Sequence, residues 1–322
     1  MKLIFTILPF IYLVGNGYLF WRSLQTLTQI PLWGKLIFSL LFWLAAFALF
    51  ISFGIKNSDI PEFFPRILFH IGAVWLVFLL YMVLSLIILD LVNIFTHNFT
   101  GRFWYALGVT TLILIAGNIN YRNPKIENLE LTFSNDTPKN DSIRIVAISD
   151  IHLGYGTGPE KLKKYVSKIN SLNPDVVLIA GDMIDNSVKP LWKAPFSQEL
   201  AKISVPIYLA PGNHEYISSI NECSKYLSQT NVVMLRDSAT TIGKGLTLIG
   251  RDDFSNKSRI PLKELLLRHP TESGTIVLDH QPQELHIGDS LGVDLIICGH
   301  THNGQVWPLN KIVNKIYPQS HG

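Results

Sequence analysis

Five short apolar segments in the second part of the chain each end in carboxylate, imidazole or carboxamide side chains. The segments are residues 143–148, 176–180, 207–210, 275–278 and 295–298, and their β-branched residues are typical of strands. In open α/β sheets the carboxyl ends of parallel strands meet at one edge, where binding sites form. The side chains that we expect to lie together at such an edge are Asp150, His152, Asp182, Asp185, Asn213, His214, His280, His300 and His302.

This donor set mixes carboxylate, imidazole and carboxamide groups and contains no thiolate. Such a mixture suits Mn²⁺, Fe or Zn²⁺ at a catalytic site better than it suits a structural zinc site. The groups are too many for one ion and sufficient for two, and an ion pair about 3.5–4 Å apart can catalyse in-line displacement at phosphorus. An aspartate after a strand is by itself commonly a turn former. The prediction therefore depends on all five motifs occurring together.

The order of these motifs resembles the calcineurin-like metallophosphoesterase superfamily. The matching motifs are Asp-x-His at 150–152, Gly-Asp-x-x-Asp at 181–185, Gly-Asn-His-Glu at 212–215, His280, and Gly-His-Thr-His at 299–302. The resemblance covers about residues 126–307. One departure is Asn303, which stands where many members of the superfamily have a glycine.

The resemblance implies seven ligands for two divalent metal ions, manganese, iron or zinc. The ligands implied for the first ion are Asp150, His152 and His302. Those implied for the second are Asn213, His280 and His300, with Asp182 bridging the two ions. A hydroxide held between the ions would attack phosphorus in line.

Two further residues match catalytic positions of the superfamily. His214 would stabilise the charge that develops on phosphorus or protonate the leaving oxygen, and Asp185 would orient that histidine. Glu215 is interpreted as a helix-start residue that favours the helix dipole. The three charged residues at 251–253 follow a predicted strand and could line the substrate side, but they are interpreted instead as part of a solvated loop.

The first 120 residues contain only nine of the chain's 27 basic and 24 acidic residues. Windows without charge cover residues 3–21, 36–55, 67–89 and 103–121, each close to the roughly 20 residues that span a bilayer. These windows predict four transmembrane helices in a region at 1–121, and hence a multi-pass protein of the cell membrane. They exclude a single soluble globule. Together with Gly-His-Thr-His-x-Gly-Gln, they resemble the membrane-anchored branch of the superfamily.

Other charge features bear on location and partners. Four spans place both ends of the region on one side, and five basic flanking residues against three weakly favour the cytoplasm for that side. Asp90 lies near the end of the third window and is expected to reach the membrane interface. The net charge of +3 is too small to indicate nucleic-acid binding, and Cys223 and Cys298 provide no disulfide framework.

Residues 122–140 are predicted to form a linker and a first strand at about 126–133, and residues 141–322 the catalytic domain. Strands are predicted at 143–148, 176–180, 206–210, 232–235, 246–249, 275–278 and 293–298, and helices at 159–172, 197–203, 217–229 and 261–267. This alternation indicates an α/β (α+β) domain. The resemblance implies a four-layer sandwich of two mixed sheets flanked by helices. Against the superfamily pattern, the domain is expected to be truncated at its C-terminus, because only 20 residues follow His302.

The predicted function is hydrolysis of a phosphate ester or pyrophosphate bond at a membrane. Attachment to the bilayer favours a phosphodiester or a lipid-linked substrate. Two alternatives remain open, a phosphomonoesterase or protein phosphatase, and a metal-binding membrane scaffold without turnover. No pattern in the sequence indicates an oligomeric state.

Overall fold

The computed structural model describes residues 2–56, 58–97, 99–132, 142–271 and 273–318. The chain divides into two compact units, Met1–Leu129 and Glu130–Gly322. Each unit has its own buried apolar core, as expected for parts that fold around separate interiors.

The first unit contains four long helices. They are α1 (Lys2–Thr26), α2 (Leu32–Ile55), α3 (Phe63–Thr96) and α4 (Arg102–Tyr121). Each predicted window lies within one of these helices. Within the described residues, three helices (α2, α3 and α4) are long and apolar enough to cross a membrane. That α1 also spans the membrane stays a prediction.

The helices of this unit pack around a narrow apolar core while their outer faces are also apolar. Leu19, Phe42 and Met82 are buried in the core, whereas Leu40 is 70% exposed and Phe95 83% exposed. A soluble protein rarely exposes apolar side chains in such numbers. The outer surface is suited to contact with lipid chains, and the unit is a membrane anchor.

Helices α2 and α3 pack closely at Gly72. A Cβ atom placed on Gly72 would overlap the backbone nitrogen and Cβ of Leu49 on the neighbouring helix. Small residues at such crossings allow helix backbones to pack closely inside membranes, where apolar burial gives little driving force. The contact between α2 and α3 therefore depends on the missing side chain.

Replacing Gly72 by alanine should force α2 and α3 apart and destabilise the helical unit by about 1–3 kcal/mol, the usual cost of overpacking. The measurement is the thermal midpoint of the detergent-purified chain, which should fall. The matched control is Gly108→Ala on α4, where a Cβ meets nothing within 4 Å, and its midpoint should not fall. Equal midpoints for the two variants would contradict the proposed close packing.

The segment after α4 differs from the prediction. Residues 124–132 form no strand, and Leu129 is 77% exposed. A strand needs a partner for its backbone hydrogen bonds, and β-propensity alone does not supply one. The first strand predicted at about 126–133 is therefore wrong for the residues up to 132, and Phe133 lies outside the described residues.

The second unit contains two four-stranded sheets. The first sheet consists of β1 (Ile145–Ile148), β2 (Val176–Ala180), β3 (Ile207–Ala210) and β4 (Val232–Met234), all parallel and in that order. The second consists of β5 (Ser238–Ile242), β6 (Leu246–Gly250), β7 (Thr275–Leu278) and β8 (Leu295–Ile297), in which only the β5–β6 pair is antiparallel. Two mixed sheets were predicted, and only the second is mixed.

Helices connect these strands, and a short 3₁₀ turn and a last helix follow β8. They are α5 (Pro159–Ser171), α6 (Lys189–Trp192), α7 (Phe196–Leu200), α8 (Asn213–Ile217), α9 (Ile220–Leu227), α10 (Leu262–Arg268), α11 (Leu285–Ser290), the 3₁₀ turn His302–Gly304 and α12 (Leu309–Ile316). Pro159 occupies the first turn of α5, where its missing N–H costs nothing.

Alternate residues of the strands point into different apolar layers. Leu178 of β2 and Leu248 of β6 belong to the cluster between the two sheets. Val177 of β2 packs against the helices on the outer face of the first sheet, and Val277 of β7 packs against α10 on the outer face of the second. Helix, sheet, sheet and helix therefore form four layers, which confirms the predicted sandwich.

Both cysteines are free thiols. Cys223 is fully buried in the core under the first sheet. Burial raises the pKa of its thiol, and that of Cys298, to about 12. Both side chains therefore remain protonated at neutral pH and act as apolar packing groups.

Candidate metal centre

The predicted donor residues lie in loops at the carboxyl ends of five strands. Asp150 and His152 follow β1, Asp182 and Asp185 follow β2, and Asn213 begins α8 after β3. In the second sheet, His280 follows β7, and His300 and His302 follow β8. The loops are joined by backbone hydrogen bonds, since His152 N–H donates to Asp182 O and Gly299 N–H donates to His280 O.

Five of these residues have left-handed backbone conformations, which side-chain-bearing residues adopt rarely. The values of φ are 54° for Asp150, 49° for His152, 50° for Asp182, 72° for His300 and 47° for His302. Such conformations cost on the order of 1–3 kcal/mol each and persist where the surroundings over-determine them. Their concentration at one sheet edge is the pattern expected of a functional site.

One group of donor atoms is formed by Asp150, His152 and His302. His302 Nε2 lies 3.2 Å from Asp150 Oδ1 and 3.3 Å from His152 Nε2. The Asp150 carboxylate also accepts the backbone N–H of His300 at 3.0 Å. Two imidazole nitrogens and one carboxylate oxygen thus converge within ligand distance of a common point.

A second group is formed by Asp182, His280 and His300. His280 Nε2 lies 3.1 Å from Asp182 Oδ2, and His300 Nδ1 lies 2.9 Å from Asn213 Oδ1. His280 Nδ1 donates to the carbonyl oxygen of Ala180 at 2.8 Å. This hydrogen bond leaves Nε2 as the lone-pair nitrogen and fixes the ring, as is usual for a metal-binding histidine.

Asp182 lies at the border between the two groups. Its Oδ2 atom is 3.9 Å from His152 Nε2 of the first group while it contacts His280 of the second. Its Oδ1 atom accepts the backbone N–H of His214 at 2.8 Å. A Cβ at Gly212 would overlap that same oxygen, so only glycine leaves the carboxylate in place. The geometry allows one carboxylate to serve both groups.

The electrostatics of the site match a set of groups that bind cations. Burial raises the pKa of Asp150, but the hydrogen bond to His302 outweighs it and lowers that pKa to about 2. Burial lowers the pKa of His280, but its contact with Asp182 outweighs it and raises that pKa to about 9. In the absence of metal, protonated imidazole therefore balances the carboxylates. Divalent ions can take over this balance because they displace protons from such ligands.

The residues present fit divalent cations. His280 Nε2 is fully buried and lies 3.1 Å from Asp182 Oδ2, but the described residues offer it no hydrogen bond of regular geometry. A buried polar atom without a partner is costly unless something binds it. Oxygen and imidazole donors are the ligands that manganese, iron and zinc accept. The arrangement can therefore hold metal with the donors that the sequence predicted.

Asp185 contacts two histidines at once. Its Oδ1 atom lies 3.1 Å from His214 Nδ1 and 3.5 Å from His152 Nδ1, and the two imidazole rings are 4.4 Å apart. Burial raises the pKa of Asp185, but these two contacts outweigh it and hold that pKa well below its usual range. The contact with His214 was predicted. The contact with His152 was not, and it links the candidate general acid to the metal-ligand group.

Glu215 has a larger role than its sequence position suggested. It occupies the first turn of α8, as predicted, but its carboxylate is completely buried. It accepts three backbone N–H groups, from Asp182 at 3.0 Å, Ile184 at 2.8 Å and Gly212 at 2.7 Å. Burial and the neighbouring Asp182 raise the pKa of Glu215 to about 7. Glu215 thus ties the loop after β2 to the loop after β3.

The charged residues at 251–253 are buried, so their interpretation as a solvated loop is wrong. Arg251 donates to Asp279 at 2.8 Å, next to His280. The other two residues are also bonded. Asp252 accepts the Tyr216 hydroxyl from α8 at 2.7 Å, and Asp253 accepts the side-chain amide of Gln281 at 2.7 Å. The sequence signal for a place near the site was their position directly after β6, at the same edge as the predicted donors.

Comparison with known proteins agrees with this architecture. A model of the family described as calcineurin-like phosphoesterase matches residues 143–304. A transmembrane protein with metallophosphoesterase domain from Danio rerio is 31% identical over 220 residues, which are 63% of this chain and 50% of that protein. An uncharacterised metallophosphoesterase from Campylobacter jejuni is 30% identical over 236 residues, 70% of this chain and 62% of its own.

A third relative carries a more specific name. The UDP-2,3-diacylglucosamine pyrophosphatase of Chlamydia trachomatis is 26% identical over 229 residues, 54% of this chain and 69% of its own. The chain spans about half the length of several curated relatives that it matches. The family match at residues 143–304 covers the part of the chain that holds the candidate metal centre.

Replacing Glu215 by alanine should leave three buried backbone N–H groups without their acceptor. We expect a loss of about 3 kcal/mol in the stability of the second unit, because each unsatisfied buried donor costs about 1–3 kcal/mol and the loops relax only in part. Metal content should fall as well, since the loops that carry Asp182 and Asn213 lose their common anchor. Thermal denaturation and elemental analysis of the purified chain measure the two effects.

The matched control is Glu222→Ala, which removes an exposed carboxylate on the neighbouring helix α9. It should retain the wild-type midpoint and metal content. If Glu215→Ala behaves like this control, the anchoring role is refuted.

Proposed function

Because the chain belongs to the calcineurin-like phosphoesterase family, we propose that it is a membrane-anchored hydrolase that uses two divalent cations to cleave a phosphodiester or pyrophosphate bond in a lipid-linked substrate. The observation that carries the proposal is the adjacency of the two donor groups across the shared carboxylate of Asp182. One ion would need only one of these groups.

The ligands in this proposal are divided between the two groups. The first cation would be held by Asp150, His152 and His302, and the second by Asn213, His280 and His300, with Asp182 available to both. Bound cations supply the Lewis acidity that activates water near neutral pH and offsets negative charge at phosphorus. Manganese suits the three oxygen donors of this set, and iron and zinc suit its four imidazoles.

His214 is the general acid of the proposed reaction. Asp185 holds its Nδ1 side, which leaves Nε2 for the leaving oxygen of the substrate. Burial lowers the pKa of His214, but Asp185 and Asp182 outweigh it, and the net effect is a raised pKa. The raised pKa favours the protonated imidazole, which in this proposal donates its proton as the phosphorus–oxygen bond breaks.

The substrate class follows from the membrane anchor and from one relative. The apolar helices keep the hydrolase at the bilayer, where lipid-linked phosphates are concentrated. The Chlamydia trachomatis relative is named as a pyrophosphatase of UDP-2,3-diacylglucosamine, and a diacylated nucleotide sugar is the substrate class that we test first.

The phosphoesterase unit lies on the cytoplasmic side in this proposal. The basic residues flanking the spans on its side are Lys2, Lys56, Arg66, Arg122 and Lys125. Those on the opposite side are Arg22, Lys35 and Arg102. An excess of basic residues in short loops marks the cytoplasmic side of membrane proteins.

The decisive experiment measures hydrolysis by the full chain in detergent with added Mn²⁺. We expect cleavage of bis(p-nitrophenyl) phosphate and of UDP-2,3-diacylglucosamine, abolished by a chelator and restored by metal. Asp182→Asn should reduce the rate by at least about 100-fold, since ligand removal exceeds the 10–100-fold effect of altering a neighbour of a ligand. Asp289→Asn, an exposed carboxylate on α11, is the control and should keep full activity.

Three other outcomes of the hydrolysis experiment would argue against the proposed function. Activity that survives both chelator and Asp182→Asn would refute the two-cation mechanism. Bound metal without turnover on any substrate would indicate a scaffold, and preference for p-nitrophenyl phosphate would indicate a phosphomonoesterase.

Replacing His214 by glutamine tests the general acid. A general acid matters most when the leaving group is a poor one, because a good leaving group needs no proton. We expect kcat to fall by about 10²–10⁴-fold for an alkyl phosphodiester, and much less for a nitrophenyl ester, with metal content unchanged. An equal loss on both substrates would show that His214 acts through structure or metal binding.

A further inference from the structure

A charged network joins three helices at one end of the membrane anchor. Asp90 of α3 forms ion pairs with Arg22 of α1 and with Arg102 of α4, the latter at 2.9 Å. Its carboxylate also accepts the hydroxyl of Tyr18 at 2.9 Å. Charged side chains within membrane segments are rare and mark functional sites unless they pair with one another.

The pairing in this network is incomplete. Two guanidinium groups face one carboxylate, so one positive charge remains without an opposite charge among these three residues. Arg22 is buried, with its side chain only 10% exposed. A guanidinium group has five N–H donors. Arg22 also donates to the Tyr18 hydroxyl and Arg102 to the Phe99 carbonyl oxygen, and these bonds together with those to Asp90 use only part of the donors. The network therefore retains both charge and donors for a further anion.

A cavity of about 420 Å³ opens beside the two arginines. It lies between the ends of α1 and α3 and the start of α4, and its polar lining includes Arg22, Gln25, Thr26, Asn93, His97 and Arg102. Phe103 and Trp104 add aromatic rings to the wall. Pockets for small ligands typically measure about 300–1,000 Å³, and the volume is sufficient for a phosphate group and the groups attached to it.

The position of the cavity favours a lipid as the source of that phosphate. It lies where the candidate span α3 ends and the candidate span α4 begins. Trp104 and Tyr105 are each 59% exposed there, and exposed aromatic residues at span ends lie at the level of lipid headgroups. Helix α4 starts at Gly101 without a side-chain cap, so its first N–H groups add further donors for an anion.

We propose that this cavity binds the phosphate of an anionic phospholipid, with Arg22 and Arg102 as its principal ligands. Arginine matches phosphate geometry with paired N–H donors and carries its charge at every accessible pH. Asp90 accepts hydrogen bonds from both guanidinium groups and reduces the net charge of the three side chains to +1. The site is formed wholly by the helical unit, and so it is separate from the metal centre and independent of the proposed reaction.

The test uses the full chain in neutral detergent, titrated with phosphatidylglycerol or phosphatidylcholine and followed by native mass spectrometry. We expect phosphatidylglycerol to bind preferentially. Arg102→Gln should weaken its binding by about tenfold, the order expected for one charge-assisted hydrogen bond. Arg102→Lys keeps the positive charge but loses the paired N–H donors of the guanidinium group, and it should weaken phosphatidylglycerol binding less than Arg102→Gln does. Arg66→Gln is the matched control, because it removes an exposed arginine near the start of α3, outside the cavity.

Asp90→Asn separates a binding site from a purely structural ion network. In a phosphate site this variant removes the negative charge that opposes an anion, while its carboxamide oxygen can still accept a hydrogen bond from a guanidinium group, and it should bind phosphatidylglycerol at least as tightly as the wild type. If the network only joins the helices, Asp90→Asn and Arg102→Gln should lose thermal stability alike, and the preference for phosphatidylglycerol should be the same in every variant. That result would overturn the proposal. Glycerol phosphate is titrated in parallel, and binding as tight as that of phosphatidylglycerol would overturn the assignment to a lipid.

Discussion

The carboxylates at the edge of the two sheets repel one another, and the structure around them depends on how that repulsion is offset. Asp150, Asp182, Asp185 and Glu215 are all largely or fully withdrawn from solvent. Like charges in a medium of low dielectric constant interact strongly, so such a cluster is unfavourable unless cations or hydrogen-bond donors face it. Imidazole groups, backbone N–H groups and the proposed metal ions meet this need.

The two units of the chain offset the charge of their carboxylates with different partner groups. In the membrane anchor, Asp90 is neutralised by guanidinium groups that belong to the chain itself. At the candidate metal centre, Asp150, Asp182 and Asp185 face histidines, whose protons metal ions can displace. A permanent guanidinium charge stabilises a fixed structure, whereas an exchangeable proton leaves the site able to bind a cation. The choice of partner residue thus separates an anchor from a metal centre.

Most of the donor residues could be predicted because each directly follows an apolar strand. Asp182 and His300 needed only the strand pattern and the rule that parallel strands end at a common edge. Strand β5 was missed because its sequence, Ser-Ala-Thr-Thr-Ile, contains few apolar residues, and its place is set by antiparallel pairing with β6. The predicted strand at 126–133 is wrong over residues 126–132 for the opposite reason, since these residues are apolar in part but pair with no other described strand.

The buried charges near the site could not be predicted from the local sequence. In the sequence Asp252 resembles a loop residue. In the structure its carboxylate accepts hydrogen bonds from Tyr216 and Arg236. Arg251 requires Asp279 and Glu284, which lie about 30 residues further along the chain. Whether a charged side chain is buried depends on partners that are distant in sequence, because burial without them is too costly. The same applies to Glu215, whose three donors come from two separate loops.

The candidate metal centre also connects the two sheets. His280 follows β7 of the second sheet, yet its ring donates to the carbonyl of Ala180 at the end of β2 in the first. His300, after β8, donates its backbone N–H to Asp150, after β1. Ligands of the proposed ions therefore come from both sheets, and cations bound to them would hold the sheet edges together. Because a ligand that binds only the folded state stabilises it, metal binding and the packing of the two sheets are thermodynamically coupled.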